Sequence, residues 1–176
     1  MRIINGQHKG RRIIAPKNVK CRPTTDTAKE GIFNVITNTY ELEDLAILDL
    51  FGGMGSIALE FASRGIKDIT CVEKSNHNYT FINNTFKELK LEGNIVKTDC
   101  FRFIETTNKK YDLIFADPPY DLKNLADIPE LIKKNELLHP ECWLILEHDN
   151  RHDFKNNPYF IKQKSYGLVQ FSIFEF

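Results

Sequence analysis

The sequence predicts an α/β fold: a doubly wound, mostly parallel sheet with helices on both faces, a C-terminal antiparallel hairpin, and a small N-terminal β-ribbon followed by a helix. Three observations carry this expectation. From residue 45 onward, short apolar runs alternate with helical stripes, the pattern of linked βαβ units. The first run, 45–50, passes into Asp49-Leu50-Phe51-Gly52-Gly53-Met54-Gly55-Ser56, a glycine loop that opens a helix. A later run, 113–116, stops at Asp117-Pro118-Pro119-Tyr120, where the prolines cannot continue a strand.

The elements follow in order. Arg2-Ile3-Ile4 and Arg12-Ile13-Ile14 flank Gly6 and Gly10, which reads as two short strands joined by a glycine-bearing turn. Arg22-Pro23-Thr24-Thr25-Asp26 is a helix start, combining proline, capping hydroxyls and a carboxylate. Ala28, Ile32, Val35 and Ile36 then recur at helical spacing, widened by Phe33. Strands are expected over 45–50, 69–73, 94–98, 111–117 and 142–147, and helices over 56–64, 75–90, 100–106 and 124–138. Gly65 is placed to end the helix before it. Residues 159–164 and 168–176 form the hairpin around Gly167.

A chain of 176 residues favours one domain, 1–176. Within it we distinguish a basic N-terminal extension, 1–40, from a core, 41–176. With 41% apolar and 11% aromatic residues, the composition excludes a disordered chain. No apolar run nears the ~20 residues that span a bilayer, and the first residues lack the apolar stretch of a signal peptide. The expected location is the cytoplasm, with no membrane contact. Cys21, Cys71, Cys100 and Cys142 lie far apart and form no Cys-x-x-Cys pair, so no zinc knuckle or redox dithiol is encoded. His148 and His152 stand four apart, but Asp149-Asn150 between them reads as a turn; no metal site is expected.

The zero net charge hides a segregation. Residues 1–29 hold eight basic side chains and one acid, Asp26, for a balance of +7; the rest of the chain holds 16 basic and 23 acidic side chains, for −7. A basic end of this kind suits a polyanion. The interspersed Ile3, Ile4, Ile13 and Ile14 argue for an ordered ribbon rather than a loose tail.

In doubly wound sheets, ligands bind beyond the carboxyl ends of the strands. Carboxylates recur there: Asp49, Glu73, Asp99 and Asp117. The loop admits two readings. Gly53-x-Gly55-x-x-Ala58, with Glu73 twenty residues after Gly53, fits a dinucleotide fingerprint. The alternative is S-adenosylmethionine. Asp49 separates them, because a carboxylate repels a pyrophosphate and attracts an ammonium and a sulfonium. It favours S-adenosylmethionine. Glu73 is then placed to accept both ribose hydroxyls, Asp99 the adenine amine, and Cys100 and Phe101 to flank the ring.

Asp117-Pro118-Pro119-Tyr120 is the sharpest signal. A diproline turn has little conformational freedom. The Asp117 carboxylate and a carbonyl of the turn are suited to accept the two hydrogens of a planar exocyclic amine, while Tyr120 stacks on the base, worth about 1–3 kcal/mol. The freed nitrogen lone pair attacks the sulfonium methyl in line, driven by orientation and preorganised electrostatics. Methylation of a pyrimidine carbon is disfavoured, since Pro140-Glu141-Cys142 has the wrong spacing for a thiol nucleophile.

The series Arg2-Ile3-Ile4, Gly6, Gly10-Arg11-Arg12, Arg22-Pro23-Thr24-Thr25-Asp26, Phe33-Asn34, Asp49-Leu50-Phe51 and Asp117-Pro118-Pro119-Tyr120 resembles the bacterial RsmD family over nearly the whole chain. Those enzymes are 16S ribosomal RNA guanine-N2 methyltransferases. The resemblance implies a Rossmann-like, seven-stranded class I S-adenosylmethionine-dependent methyltransferase. Its substrate would be one guanine of 16S rRNA, presented in an assembling small ribosomal subunit to a monomeric enzyme. By position, Asp49, Phe51, Gly52, Gly53 and Gly55 match the donor loop, Glu73 the ribose acid, Asp99 and Cys100 the adenine contacts, and Asp117 to Tyr120 the catalytic turn. Arg2, Lys9, Arg11, Arg12, Arg22 and Thr24 are the expected RNA contacts. Two departures stand out: Thr27 where the family commonly has arginine, and Met54 where it usually has a small or hydroxylated residue. The alternatives are an adenine-N6 methyltransferase on RNA or DNA, a protein-glutamine methyltransferase, a dinucleotide oxidoreductase, and a non-catalytic RNA-binding module.

Overall fold

The computed structural model describes residues 1–17, 19 and 24–176. Arg22, expected at the RNA, lies outside the described residues. The elements are α1 (Asp26–Thr37), β1 (Ile47–Leu50), α2 (Ser56–Ser63), β2 (Ile69–Glu73), α3 (Asn76–Glu88), β3 (Asn94–Lys97), α4 (Cys100–Thr106), β4 (Tyr111–Ala116), α5 (Ile128–Lys134), β5 (Leu138–His148), β6 (Phe160–Tyr166) and β7 (Val169–Glu175). They form a seven-stranded sheet in the order β3-β2-β1-β4-β5-β7-β6. Strands β1 to β5 pair in parallel, and β7 is antiparallel to both β5 and β6. The expected α/β architecture and C-terminal hairpin are both present.

The strand order reverses between β1 and β4, whose register sets Asp49 beside Phe115 and Leu50 beside Ala116. That reversal opens a crevice at the carboxyl ends of the two central strands. Apart from Asp49, both strands are apolar at their buried positions because helices cover the sheet on each side. One face packs against Phe33 and Ile36 of α1 and Phe61 of α2, with the Phe33 and Phe61 ring centres 4.6 Å apart. The other packs against Ile104 of α4 and Ile128 and Ile132 of α5.

Three details differ from expectation, each for a local reason. The N-terminal ribbon is a single antiparallel bridge, Arg2 to Arg12, not two strands. Ile3 and Ile13 are buried while Ile14 is exposed, and the next backbone donors turn away. The N–H groups of Ile4 and Asn5 bind the Glu60 carboxylate of α2, at 2.8 and 2.9 Å, rather than a strand partner. The expected helix 124–138 is a 3₁₀ turn at Leu125–Asp127 followed by the shorter α5. Pro129 enforces this break, since proline is accommodated only in a helix's first turn. Strand β5 begins four residues early, at Leu138, and tolerates Pro140 through a register shift against β4 between Tyr111 and Leu113.

A buried charge cluster ties the ribbon to the core. Lys29 of α1 and Glu60 of α2 are 1% and 0% exposed, with Nζ 3.6 Å from Oε2. Arg64 adds a 2.9 Å contact to Glu60 Oε1. Lys29 also donates to the Arg2 carbonyl at 2.7 Å and to Ser56 Oγ at 3.2 Å. Desolvation lowers the Lys29 pKa even though Glu60 opposes it. Gly6 makes this docking possible. It has φ of 84° and its Cα lies so close to the Ser63 carbonyl that a Cβ would overlap it.

Candidate active site

A cavity of about 820 Å³ opens where β1 and β4 end. It collects Asp49, Phe51, Gly52, Gly53, Glu73, Asp99, Cys100 and Asp117 to Tyr120. Gly55 stands just behind, as the cap of α2, with φ of 74°. A Cβ on Gly55 would press on Ile82 at 3.1 Å. Expected residues from four strand ends thus converge because parallel register aligns those ends.

The loop is held by the acids around it. Glu73 Oε2 accepts from the Gly53 N–H at 2.7 Å, and its Oε1 accepts from Ser75 N–H at 2.6 Å. Asp49 Oδ2 accepts from Ala58 N–H at 3.0 Å inside the first turn of α2. Burial pushes the Asp49 carboxyl up to about 7; the Ala58 N–H and the Cys71 thiol oppose this, while Glu73 adds to it. Asp99 caps α4 through the Phe101 and Arg102 N–H groups and receives Lys74 Nζ at 3.0 Å. Lys74 therefore holds its pKa below the usual carboxylate value. The Cys100 thiol accepts from Phe51 N–H at 3.3 Å, and burial pushes it up to about 12. It packs as a wall and is protonated at neutral pH, which excludes it as a nucleophile. Phe51 and Phe101 meet edge to face at 6.2 Å, giving the cleft an aromatic side.

The donor expected here fits this chemistry. Among the described lining residues, the carboxylates are Asp49, Glu73, Asp99, Asp117, Asp121 and Glu147, against two cations, Lys74 and Arg151. Lys74 is engaged by Asp99 and Arg151 by Asp149. Acids outnumber cations here even with the buried Asp49 and Asp117 carboxyls raised, which favours a sulfonium and an ammonium over a pyrophosphate. Asp49 and Glu73 would hold the donor's methionyl and ribose ends, and the Phe51–Phe101 cleft its adenine.

The Asp117-Pro118-Pro119-Tyr120 turn, expected to be catalytic, sits beside the glycine loop, with Asp117 N–H directed at the Leu50 carbonyl at 3.4 Å. Burial, then the Glu147 and Asp49 charges, raise the Asp117 pKa well above the usual carboxylate range. Tyr120 donates its hydroxyl to Glu147 Oε1 at 2.8 Å, and Arg151 Nη2 donates to the Tyr120 carbonyl at 3.1 Å.

Two residues depart from the sequence-based expectation. Thr24, an expected RNA contact, is only 6% exposed, donates to Glu147 Oε2 at 3.0 Å, and lies within hydrogen-bonding reach of Asp117. It braces the turn from inside the cavity instead of facing the surface. Glu147, at the end of β5, is absent from the expected site residues, yet it is 3% exposed and lines the cavity. The strand-end rule finds it once extended to the fifth parallel strand.

Among the described residues, the other expected RNA contacts lie away from the cavity lining. Lys9, Arg11 and Arg12 are exposed. Arg2 pairs with Asp26 at 3.2 Å and Arg11 with Glu88 at 2.6 Å. Exposed pairs of this kind contribute about 0–1 kcal/mol and yield readily to a stronger anion. The His148 ring bonds Ser172 Oγ and the Asp149 carbonyl.

Fold and cavity together define a class I methyltransferase. The chain belongs to the family described as Conserved hypothetical protein 95, which matches residues 1–175. It is 31% identical over 147 residues to Ribosomal RNA small subunit methyltransferase D of Buchnera aphidicola subsp. Acyrthosiphon pisum, covering 79% of this chain and 76% of that one. It is 29% identical to Bacillus subtilis YlbH, across 99% of this chain and 98% of the relative. Among solved structures, Escherichia coli yhhF superposes with a TM-score of 0.85 at 26% identity, covering 99% of this chain and 97% of that one.

Proposed function

We propose that this protein transfers a methyl group from S-adenosylmethionine to the exocyclic N2 amine of one guanine in 16S ribosomal RNA, within the assembling small subunit. The observation that carries the reading is the adjacency of Asp117-Pro118-Pro119-Tyr120 to the donor loop in one cavity. The family relationship supplies the RNA class.

S-adenosylmethionine, when bound, supplies an electrophilic methyl group on a cationic sulfur. The rest is done by the chain. Asp117 and a carbonyl of the turn accept the two amine hydrogens and aim the nitrogen lone pair at the donor loop. The Tyr120 ring stacks on the base, and its hydroxyl is held by Glu147. Arg151 holds the backbone of the same residue. The Asp117 carboxyl, at the end of the turn, is the group placed to take up the proton that the methylated nitrogen loses.

Outside the cavity, Arg2, Lys9, Arg11 and Arg12 would neutralise RNA phosphates, as the +7 balance of residues 1–29 favours; Arg22 is assigned the same role from the sequence alone. The reading places the enzyme in the cytoplasm as a monomer without a metal. No helix among the described residues is long and apolar enough to cross a membrane.

The test is mass mapping of methylated nucleosides in ribosomal RNA from cells with and without the gene. One N2-methylguanosine in 16S rRNA should disappear. An unchanged map, or loss of N6-methyladenosine instead, rejects the assignment.

A further inference from the structure

We propose that Arg151 grips a phosphate flanking the target guanosine, seating the flipped nucleotide through the edge of the guanidinium that its two protein partners leave open. The inference rests on the guanine-N2 reading above and deepens it to a residue that binds and positions the substrate.

A base inside a folded RNA offers its amine to an enzyme only when it swings out of the stack. The ring then enters the cavity, and the phosphates on either side of it stay at the mouth. On the side of the turn that mouth is rich in acids: Asp121 is exposed, and Asp117 and Glu147 line the same wall. A phosphodiester settles there only if a cation meets it. Among the described lining residues the cations are Lys74 and Arg151. Lys74 belongs to the donor end, where it binds Asp99. Arg151 stands at the turn itself, bonded to Tyr120.

Two contacts orient the guanidinium. Nε donates to Asp149 Oδ2 at 2.6 Å, and Nη2 donates to the Tyr120 carbonyl at 3.1 Å. Asp149 is itself fixed, with the Arg151 N–H and His152 Nδ1 each 3.1 Å from its Oδ1. A guanidinium has five N–H donors. These contacts use two, so both hydrogens of Nη1 and one of Nη2 remain. They form a flat fork of the kind that two phosphate oxygens accept together. The ion pair also turns its cation outward: the Arg151 side chain is 63% exposed and that of Asp149 is 15% exposed. Because one anchor of the guanidinium is the Tyr120 carbonyl, a phosphate held on the fork lies at a set distance from the Asp117-Pro118-Pro119-Tyr120 turn. Such a contact fixes where the nucleotide sits and leaves the reading of the base to the cavity.

The experiment removes the charge from each partner in turn. Small-subunit particles are assembled from ligated 16S rRNA with the native phosphates, or with a neutral methylphosphonate at the linkage 5′ or 3′ of the mapped guanosine. Wild type, Arg151→Gln and Arg151→Lys are each assayed on them. For wild type, kcat/KM should fall by about tenfold to a hundredfold when one of the two linkages is neutral. Arg151→Gln should be slowed to a similar degree on native particles, and the same neutral linkage should slow it no further. Its slope of log kcat/KM against log salt should be shallower by about 0.7–0.9. Arg151→Lys keeps the charge without the fork, so it should retain part of the difference between native and neutral particles; it carries the test if the Gln variant does not fold. If Arg151 only braces Tyr120, its variants slow on native and neutral particles alike and the wild-type ratio persists, which overturns the proposal. Indifference of wild type to both neutral linkages overturns it as well. Failure of wild type to methylate the native particle defeats the guanine-N2 reading itself, a result distinct from the others.

Discussion

Gly53 and Glu73 lie twenty residues apart in sequence, yet the Gly53 N–H reaches Glu73 Oε2 at 2.7 Å. The acid expected to bind the donor's ribose is therefore also an anchor of the glycine loop. The same carboxylate receives the Ser75 N–H, so it joins the ends of β1 and β2. If Glu73 binds the donor's ribose, loop shape and donor binding are coupled through one side chain.

Glu73→Ala should weaken donor binding on both counts. Hydrogen bonds to a charged group contribute about 1.5–3 kcal/mol, which corresponds to roughly a tenfold to hundredfold loss of affinity. Calorimetric titration with S-adenosylhomocysteine measures it. An affinity within twofold of wild type would remove Glu73 from the donor site.

Asp117→Ala should separate binding from chemistry. Donor affinity should stay near wild type while kcat falls by about 10²–10³, the usual cost of losing one preorganised polar group. Single-turnover methylation of small-subunit particles reads the second quantity. Retained activity would displace Asp117 from the reaction.

Asp49 makes donor binding depend on pH. Its buried carboxyl titrates at about 7 in the empty protein, and a cationic donor favours the ionised form. Affinity for S-adenosylmethionine should rise between pH 6 and 8, with a proton released on binding. Asp49→Asn should flatten that slope. Stability should run the other way. The folded pKa is above the unfolded value of about 3.9, so the folded state binds more protons between the two. The empty protein should lose stability as pH rises from about 4 to 7. Denaturant melts of wild type and Asp49→Asn across this window check the sign.

Glu60 should prove essential to the ribbon. It receives the Ile4 and Asn5 N–H groups, Lys29 and Arg64. Glu60→Ala leaves a buried ammonium uncompensated, which costs about 3–5 kcal/mol. Chemical denaturation should show it. Glu60→Gln should lose less, since its amide oxygen still accepts from the backbone.

Because the ribbon is anchored in this way, deleting it would strip partners from Glu60 and Lys29, so charge is better removed in place. Lys9→Gln with Arg12→Gln should weaken RNA binding. The slope of log affinity against log salt should fall by about 0.7–0.9 for each phosphate that is no longer neutralised. An unchanged slope would move the RNA to another face.

Much of this is legible in the sequence. The βα alternation from residue 45, with right-handed crossovers, leaves few topologies, and it sets Asp49, Glu73, Asp99 and Asp117 at neighbouring strand ends. The glycine loop and the diproline turn are equally plain, because both depend on local backbone chemistry. The ribbon is less so: its isoleucines mark it as ordered, but pairing stops where Glu60 takes the next N–H groups.

What the tertiary structure alone decides is which side chains meet. Thr24 and Glu147 are 123 residues apart and share a hydrogen bond; Lys29 and Glu60 close into a pair that water does not reach. Periodicity and motif spacing describe backbone course and local turns. They carry no information on partners brought together by packing, and a buried polar group's role is fixed by those partners. Thus Thr24, judged by its basic neighbours, belongs at the surface, and Glu147, judged as the end of a strand, draws no notice; only their meeting inside the cavity gives either one its part in the site.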